Sequence, residues 1–189
     1  MANQDSAFGL RAIGKVGQNS DNEGLSEYSI AASATAIYQG DPVKALNTGT
    51  IGVAAAGDVL LGSLNGIFYT DPSTQKPTWA NHLAASNAAT DIVGYVSDDP
   101  YERFEIQSNN AGASAQTDVF MNYDIEYTAG TSPNFISKVE LDDSSTVSTT
   151  AQLRIIGVSK DPSNNDLASA NTNFVVEIVE HFYKQAAGI

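Results

Sequence analysis

Proline placement is the feature that most narrows the folds open to this chain. Of six prolines, Pro42, Pro72, Pro100 and Pro162 each follow an aspartate. Proline fixes φ and the aspartate can accept hydrogen bonds from the backbone ahead of it, so Asp-Pro starts turns. Between these corners, and between clusters of Gly, Asn and Ser, run β-branched and aromatic segments about five to eight residues long, the grammar of sandwiches and barrels. The clearest lies near the C-terminus. Phe174, Val176, Ile178, Glu180 and Phe182 share one face there, and Val175, Glu177, Val179, His181 and Tyr183 share the other. Further strands are expected over 27–30, 36–46, 59–69, 91–97, 101–107, 124–127, 135–141 and 151–159. The one place open to a short helix is near 79–85.

The fold class is therefore all-β, as a single β-barrel or β-sandwich domain with an extended N-terminal arm and at most one short helix. A local pattern occurs twice: Ile92, Gly94 and Asp99-Pro100 recur as Ile155, Gly157 and Asp161-Pro162. Common strand-to-turn grammar explains it better than a duplication. A glycine inside a strand marks a bulge or a close backbone approach.

The first 24 residues read differently from the β-rich domain of 25–189. Arg11 and Lys15 lie in the Gly-spaced, moderately apolar stretch 7–17, followed by polar residues 18–24. This composition predicts an extended arm, either a mobile terminus or one that orders against a partner, and the second is favoured because Phe8, Leu10 and Ile13 gain nothing from staying in water. The small, polar residues 108–116 predict a surface loop.

Charge and chemistry exclude several function classes. Nine Lys and Arg against 22 Asp and Glu give a net charge of -13. That field repels phosphate backbones and anionic membranes, so neither nucleic acid nor membrane is an expected partner. With no cysteine in 189 residues, disulfides, thiolate nucleophiles and Cys-containing zinc sites are out. The start lacks a secretory pattern and no run reaches the roughly 20 apolar residues of a membrane span, which leads us to expect synthesis in a cytosol.

Only His82 and His181 titrate near neutrality, and no nucleophile elbow, phosphate loop or paired zinc histidines occur. Asp98-Asp99 and Asp142-Asp143 read as turn-forming acids. The run 19–24 opens like a calcium loop but has Ile30 where the closing Glu belongs. No enzyme, no cofactor and no metal site is expected.

Met1-Ala2-Asn3-Gln4-Asp5-Ser6-Ala7-Phe8-Gly9-Leu10-Arg11 resembles the start of small virion structural proteins of tailed phages, including those of marine bacteria. The resemblance continues through Gly40-Asp41-Pro42-Val43-Lys44, the run 49–58 with Leu61-Gly62, Val93-Gly94-Tyr95-Val96 and Phe104-Glu105-Ile106-Gln107, and thins after Asp142. It implies a bacteriophage capsid decoration (cement) protein made in the host cytoplasm and bound to the outer capsid surface of the virion. Its partners would be the major capsid protein and neighbouring copies of itself, as a trimer or dimer. Phe8, Leu10, Arg11 and Ile13 are the candidate capsid contacts, with the planar fork of Arg11 suited to partner carboxylates. The alternative is a tail or head-fibre adaptor that binds a glycan through aromatics near turns, among them Tyr69, Trp79 and Tyr101.

Overall fold

A computed structural model describes residues 3–17, 24–109, 114–144, 151–186 and 188–189. The calcium-loop-like run therefore lies almost wholly outside the described residues, as does the centre of the 108–116 loop. Fifteen short strands are described: β1 (Arg11–Lys15), β2 (Ser26–Ser29), β3 (Ile37–Tyr38), β4 (Pro42–Ala45), β5 (Ile51–Val53), β6 (Gly62–Thr70), β7 (Pro77–Ala80), β8 (His82–Leu83), β9 (Val93–Ser97), β10 (Glu102–Gln107), β11 (Asn122–Tyr123), β12 (Ile125–Glu126), β13 (Glu140–Leu141), β14 (Leu153–Val158) and β15 (Asn173–Ile178). Helical structure among the described residues is limited to two 3-10 turns, Gln116–Asp118 and Phe182–Lys184.

The strands form two antiparallel sheets and two small ribbons. The first sheet runs β1-β10-β15-β14-β11. The second runs β2-β9-β6-β4-β5, with β7 added to β6. Strands β12 and β13 pair, as do β3 and β8. Both large sheets are open, so the all-β expectation holds, the arrangement is consistent with a sandwich, and the described residues form no closed barrel.

Each sheet covers its own apolar cluster. Under the first lie Leu10, Phe104, Ile106, Leu153, Ile155, Phe174, Val176 and Ile178. Under the second lie Ile30, Ile37, Val43, Ile51, Leu64, Ile67, Leu83 and Val96. Adjacent residues of extended backbone point to opposite sides, and the chain uses this at Leu60 and Leu61. Leu60 enters the first cluster and Leu61 the second, both essentially fully buried.

Three register shifts bend the sheets, and each ends on a glycine: Ala12/Gly14, Leu64/Gly66 and Ile155/Gly157. Gly94 works differently. A Cβ there would stand 3.0–3.3 Å from Ile30, Ile51 and Leu64, so its bareness admits the second core. The two members of the sequence pattern thus serve different ends, a bulge at Gly157 and a close approach at Gly94.

Three Asp-Pro corners close through the aspartate side chain. Asp71 accepts from the Ser73 and Thr74 amides, Asp99 from Tyr101 and Asp161 from Ser163. The Asp99-Pro100 corner carries the chain from β9 in the second sheet to β10 in the first.

Residues 79–85 form no helix; 77–80 hydrogen-bond to β6 and 82–83 to β3. Alternation decides this, since Trp79 faces solvent between inward Thr78 and Ala80. Over the residues described, the N-terminal segment is bound along the body. Asn3 bonds the Asp166 carbonyl at 2.9 Å, the Gln107 side chain clasps the backbone of Gln4 and Ser6, and β1 pairs with β10.

Candidate functional site

The four candidate contact residues separate in space. Leu10 is 1% exposed and belongs to the first core. Its amide donates to the Gly40 carbonyl at 2.9 Å, and its carbonyl accepts from the Ser63 hydroxyl at 2.6 Å. It is packing, not contact surface, because the backbone on either side is clamped between the two sheets. The clamp depends on glycine. At Gly9 (φ +73°) a Cβ would lie 2.2 Å from the Gly40 oxygen, and at Gly40 (φ +86°) one would lie 2.5 Å from the Phe8 oxygen. Sequence reading missed this pair, although Gly40 directly precedes an Asp-Pro corner.

Phe8 and Arg11 remain near the surface but already have partners. The Arg11 guanidinium sits 4.3 Å above the Phe8 ring and pairs with the nearly buried Glu105, which also accepts from the Ser159 hydroxyl. One nitrogen of its fork is thus engaged within the molecule, while the side chain stays largely exposed. Beside these residues is a hollow of about 350 Å³ lined also by Gln39, Asn65 and Ile136. A neighbouring hollow of about 670 Å³ shares Phe8, Arg11 and Ile136 and adds Lys138 and Glu140. Ile13 is the free member of the four. It stands 49% exposed on β1, the terminal strand of the first sheet, with Val16 42% exposed beside it.

Both histidines are structural in placement. His82 is stacked between Phe135, with centroids 3.9 Å apart, and Tyr38, at 6.2 Å. Partial desolvation lowers its pKa. His181 is fully buried three residues past β15, where it bridges Leu60 just ahead of β6. Its Nδ1 accepts from the Tyr183 amide at 3.1 Å. Burial first, and then the Lys184 ammonium, pushes its pKa down to about 4 against the opposing pull of Asp98 and Asp99.

The paired acids are spent on local structure. Asp98 accepts from Ser26 and Tyr28, while Asp99 holds Lys15 at 2.8 Å. Asp142 bonds Ser144, and Asp143 bonds Ser108, which is buried rather than on the surface. Asp41 is fully buried with one oxygen on the Tyr38 amide at 2.9 Å, and burial raises its pKa to about 6. Burial, with Asp5, Glu126 and Asp143 nearby, raises Glu140 to about 7.

Tyr69, Trp79 and Tyr101 do not converge. Tyr69 packs on the second core, and Tyr101 lies near Lys184. Trp79 instead joins Phe68 and Tyr95 on the solvent face of the second sheet, with ring centroids 6.4 and 4.6 Å away.

Comparison with protein-family models, curated proteins and solved structures found no match. The class that the geometry itself defines is an all-β, two-sheet protein whose N-terminal strand is built into the body.

Proposed function

We propose that this is a non-enzymatic virion structural protein of the tailed-phage type, a decoration protein that binds the outer surface of the assembled head and stabilises the shell. The observation that carries the reading is the placement of the segment bearing the resemblance. It leads directly into the terminal strand β1, on which Ile13 is exposed to solvent, with Val16 exposed just past the strand's end. An exposed apolar edge strand invites pairing with another chain, and the major capsid protein or a neighbouring copy is the partner the resemblance implies. Binding only the assembled shell would stabilise it by mass action.

Deleting residues 1–17 would tear Leu10 from the core, so the test uses substitutions on the exposed edge. Heads lacking the protein are co-sedimented with the intact chain and with the double variant Ile13→Asp, Val16→Asp. Saturable binding by the intact chain, weakened at least tenfold in the variant at unchanged thermal stability, supports the reading. Absence of binding by the intact chain removes it.

A further inference from the structure

The geometry points to a saccharide-binding site on the solvent face of the second sheet, where Trp79 supplies the stacking ring and Glu27 and Tyr95 the hydrogen-bonding groups. The site is laid out by register. Glu27 stands opposite Tyr95 on β2 and β9, Tyr95 opposite Gly66 on β9 and β6, and Phe68 opposite Trp79 on β6 and β7. The residues between them turn inward, since Tyr28, Gly94, Val96, Ile67 and Tyr69 all meet the second core. Glu27, Tyr95, Phe68 and Trp79 therefore share the outer face across four neighbouring strands. At about 4.8 Å per strand the row extends roughly 14 Å, the length of two to three linked pyranose rings.

Trp79 is 61% exposed and is the one tryptophan of the chain. Its indole rests against Gly66, where a Cβ would come within 3.2 Å of Cζ2 and 3.5 Å of Cε2. Shielding the glycine beside a bulge explains why one side of the ring is covered. It does not explain why so large an apolar surface stays in water on the other. The Tyr95 hydroxyl donates to the Glu27 carboxylate, and desolvation together with that carboxylate raises its pKa, so the two groups form one polar pair beside the ring.

An electron-rich ring face with a carboxylate acceptor and a phenol alongside matches a sugar's two chemistries. Its C–H face is drawn to the negative face of the ring, and its hydroxyls meet the polar groups. The competing occupants fit less well. A stacked nucleobase brings phosphates against a net charge of -13. A stable protein partner buries roughly 800 Å² on each side, whereas here Trp79 is the one ring of its aromatic group that stands largely exposed.

The site rests on its own geometry and not on the shell-binding reading, so the test uses the free protein. A microarray of neutral gluco-, galacto- and manno-oligosaccharides is followed by titration of the best binder while the emission of Trp79 is recorded. The expected result is saturable binding with a shifted or quenched emission. Calorimetric affinity should fall at least tenfold in Trp79→Ala and in Glu27→Gln, and less in Trp79→Phe, with unchanged circular dichroism. Glu27→Gln leaves the ring and its glycine shield intact, so it tests the site even where Trp79→Ala fails to fold. No neutral saccharide altering the emission at 10 mM, or binding untouched in Glu27→Gln and Trp79→Phe alike, overturns the proposal. Head co-sedimentation should be indifferent to Glu27→Gln, which separates failure of this site from failure of the shell reading.

Discussion

Acid should cost stability at His181 and return it at Asp41, and the two effects should nearly cancel. His181 has no exposed surface, and its pKa falls from 6.5 to about 4 on folding. The unfolded chain then takes up this proton first. Stability contributed by the neutral imidazole is complete above pH 6.5 and is lost as pH falls towards 4. From pH 7 to 4.5 the loss is roughly 2 kcal/mol, at 1.36 kcal/mol for each unit by which the ambient pH lies below the unfolded value of 6.5, less the part regained as pH nears the folded value. Asp41 moves oppositely. Its pKa rises from 3.8 to about 6 on folding, so the folded chain binds that proton more tightly. Its contribution is complete below 3.8 and is lost as pH rises through 6. Over the same descent it returns roughly 2 kcal/mol.

The measurement is urea unfolding by circular dichroism at pH 7 and 4.5 for the wild type, His181→Gln and Asp41→Asn. Other groups titrate alike in all three chains and drop out of the differences. Relative to wild type, His181→Gln should gain roughly 2 kcal/mol on going to pH 4.5 and Asp41→Asn should lose about as much. With a urea slope of about 2 kcal/mol/M, each midpoint moves by about 1 M relative to the wild type, in opposite directions. If His181→Gln keeps the wild-type dependence on pH, the imidazole is not held neutral by its surroundings and the reasoning fails.

Other perturbations test separate parts of the structure. Gly9→Ala should cost ~3 kcal/mol or more, or prevent folding, because the new carbon has only 2.2 Å to the Gly40 oxygen. Gly157→Ala has open space around it and should cost less than ~1 kcal/mol in the same thermal unfolding series. Arg11→Ala leaves Glu105 buried with the Ser159 hydroxyl as its remaining partner, at a cost of ~1–3 kcal/mol. Adding Glu105→Gln should recover part of that, which a double-mutant cycle measures. Glu140 has a folded pKa raised to about 7, so its contribution fades as pH rises through 7. Glu140→Gln should therefore melt higher than wild type at pH 8 and show no such advantage at pH 5.

What was legible in the sequence was whatever depends on neighbours in the chain. Alternation located 153–158 and 173–178, and Asp-Pro grammar located the corners at Asp71, Asp99 and Asp161, where the aspartate bonds its own backbone within three residues. The long expected strand 36–46 broke into β3 and β4 because Gly40 turns there with positive φ. The last strand stopped at Ile178, and His181 begins a 3-10 turn. What was not legible depends on distant partners. Phe8, Leu10 and Ile13 looked alike as apolar residues of a Gly-rich stretch, and nothing local says that Leu10 alone fills a core. Similarly, Trp79 meets Phe68 and Tyr95 through sheet register, so sequence proximity to turns grouped it wrongly with Tyr69 and Tyr101.

The placement of β1 gives its exposed edge consequences beyond the strand itself. Leu10 fills the first core, while Gly9 and the Leu10 backbone are locked to Gly40 and Ser63 of the second sheet. At its far end Lys15 holds Asp99 on the corner that joins the two sheets. A chain that pairs along Ile13 and Val16 would thus bind a strand anchored in both halves of the body. Loosening β1 in the free protein would weaken such binding, since the free energy of re-ordering it would have to be met on contact. Gly9→Ala, if it folds, should therefore lower affinity for heads without altering a single exposed residue. Ile13→Asp with Val16→Asp should lower affinity without altering stability. Finding both losses with these opposite stability profiles is what a built-in edge requires, and a freely tethered arm would show only the second.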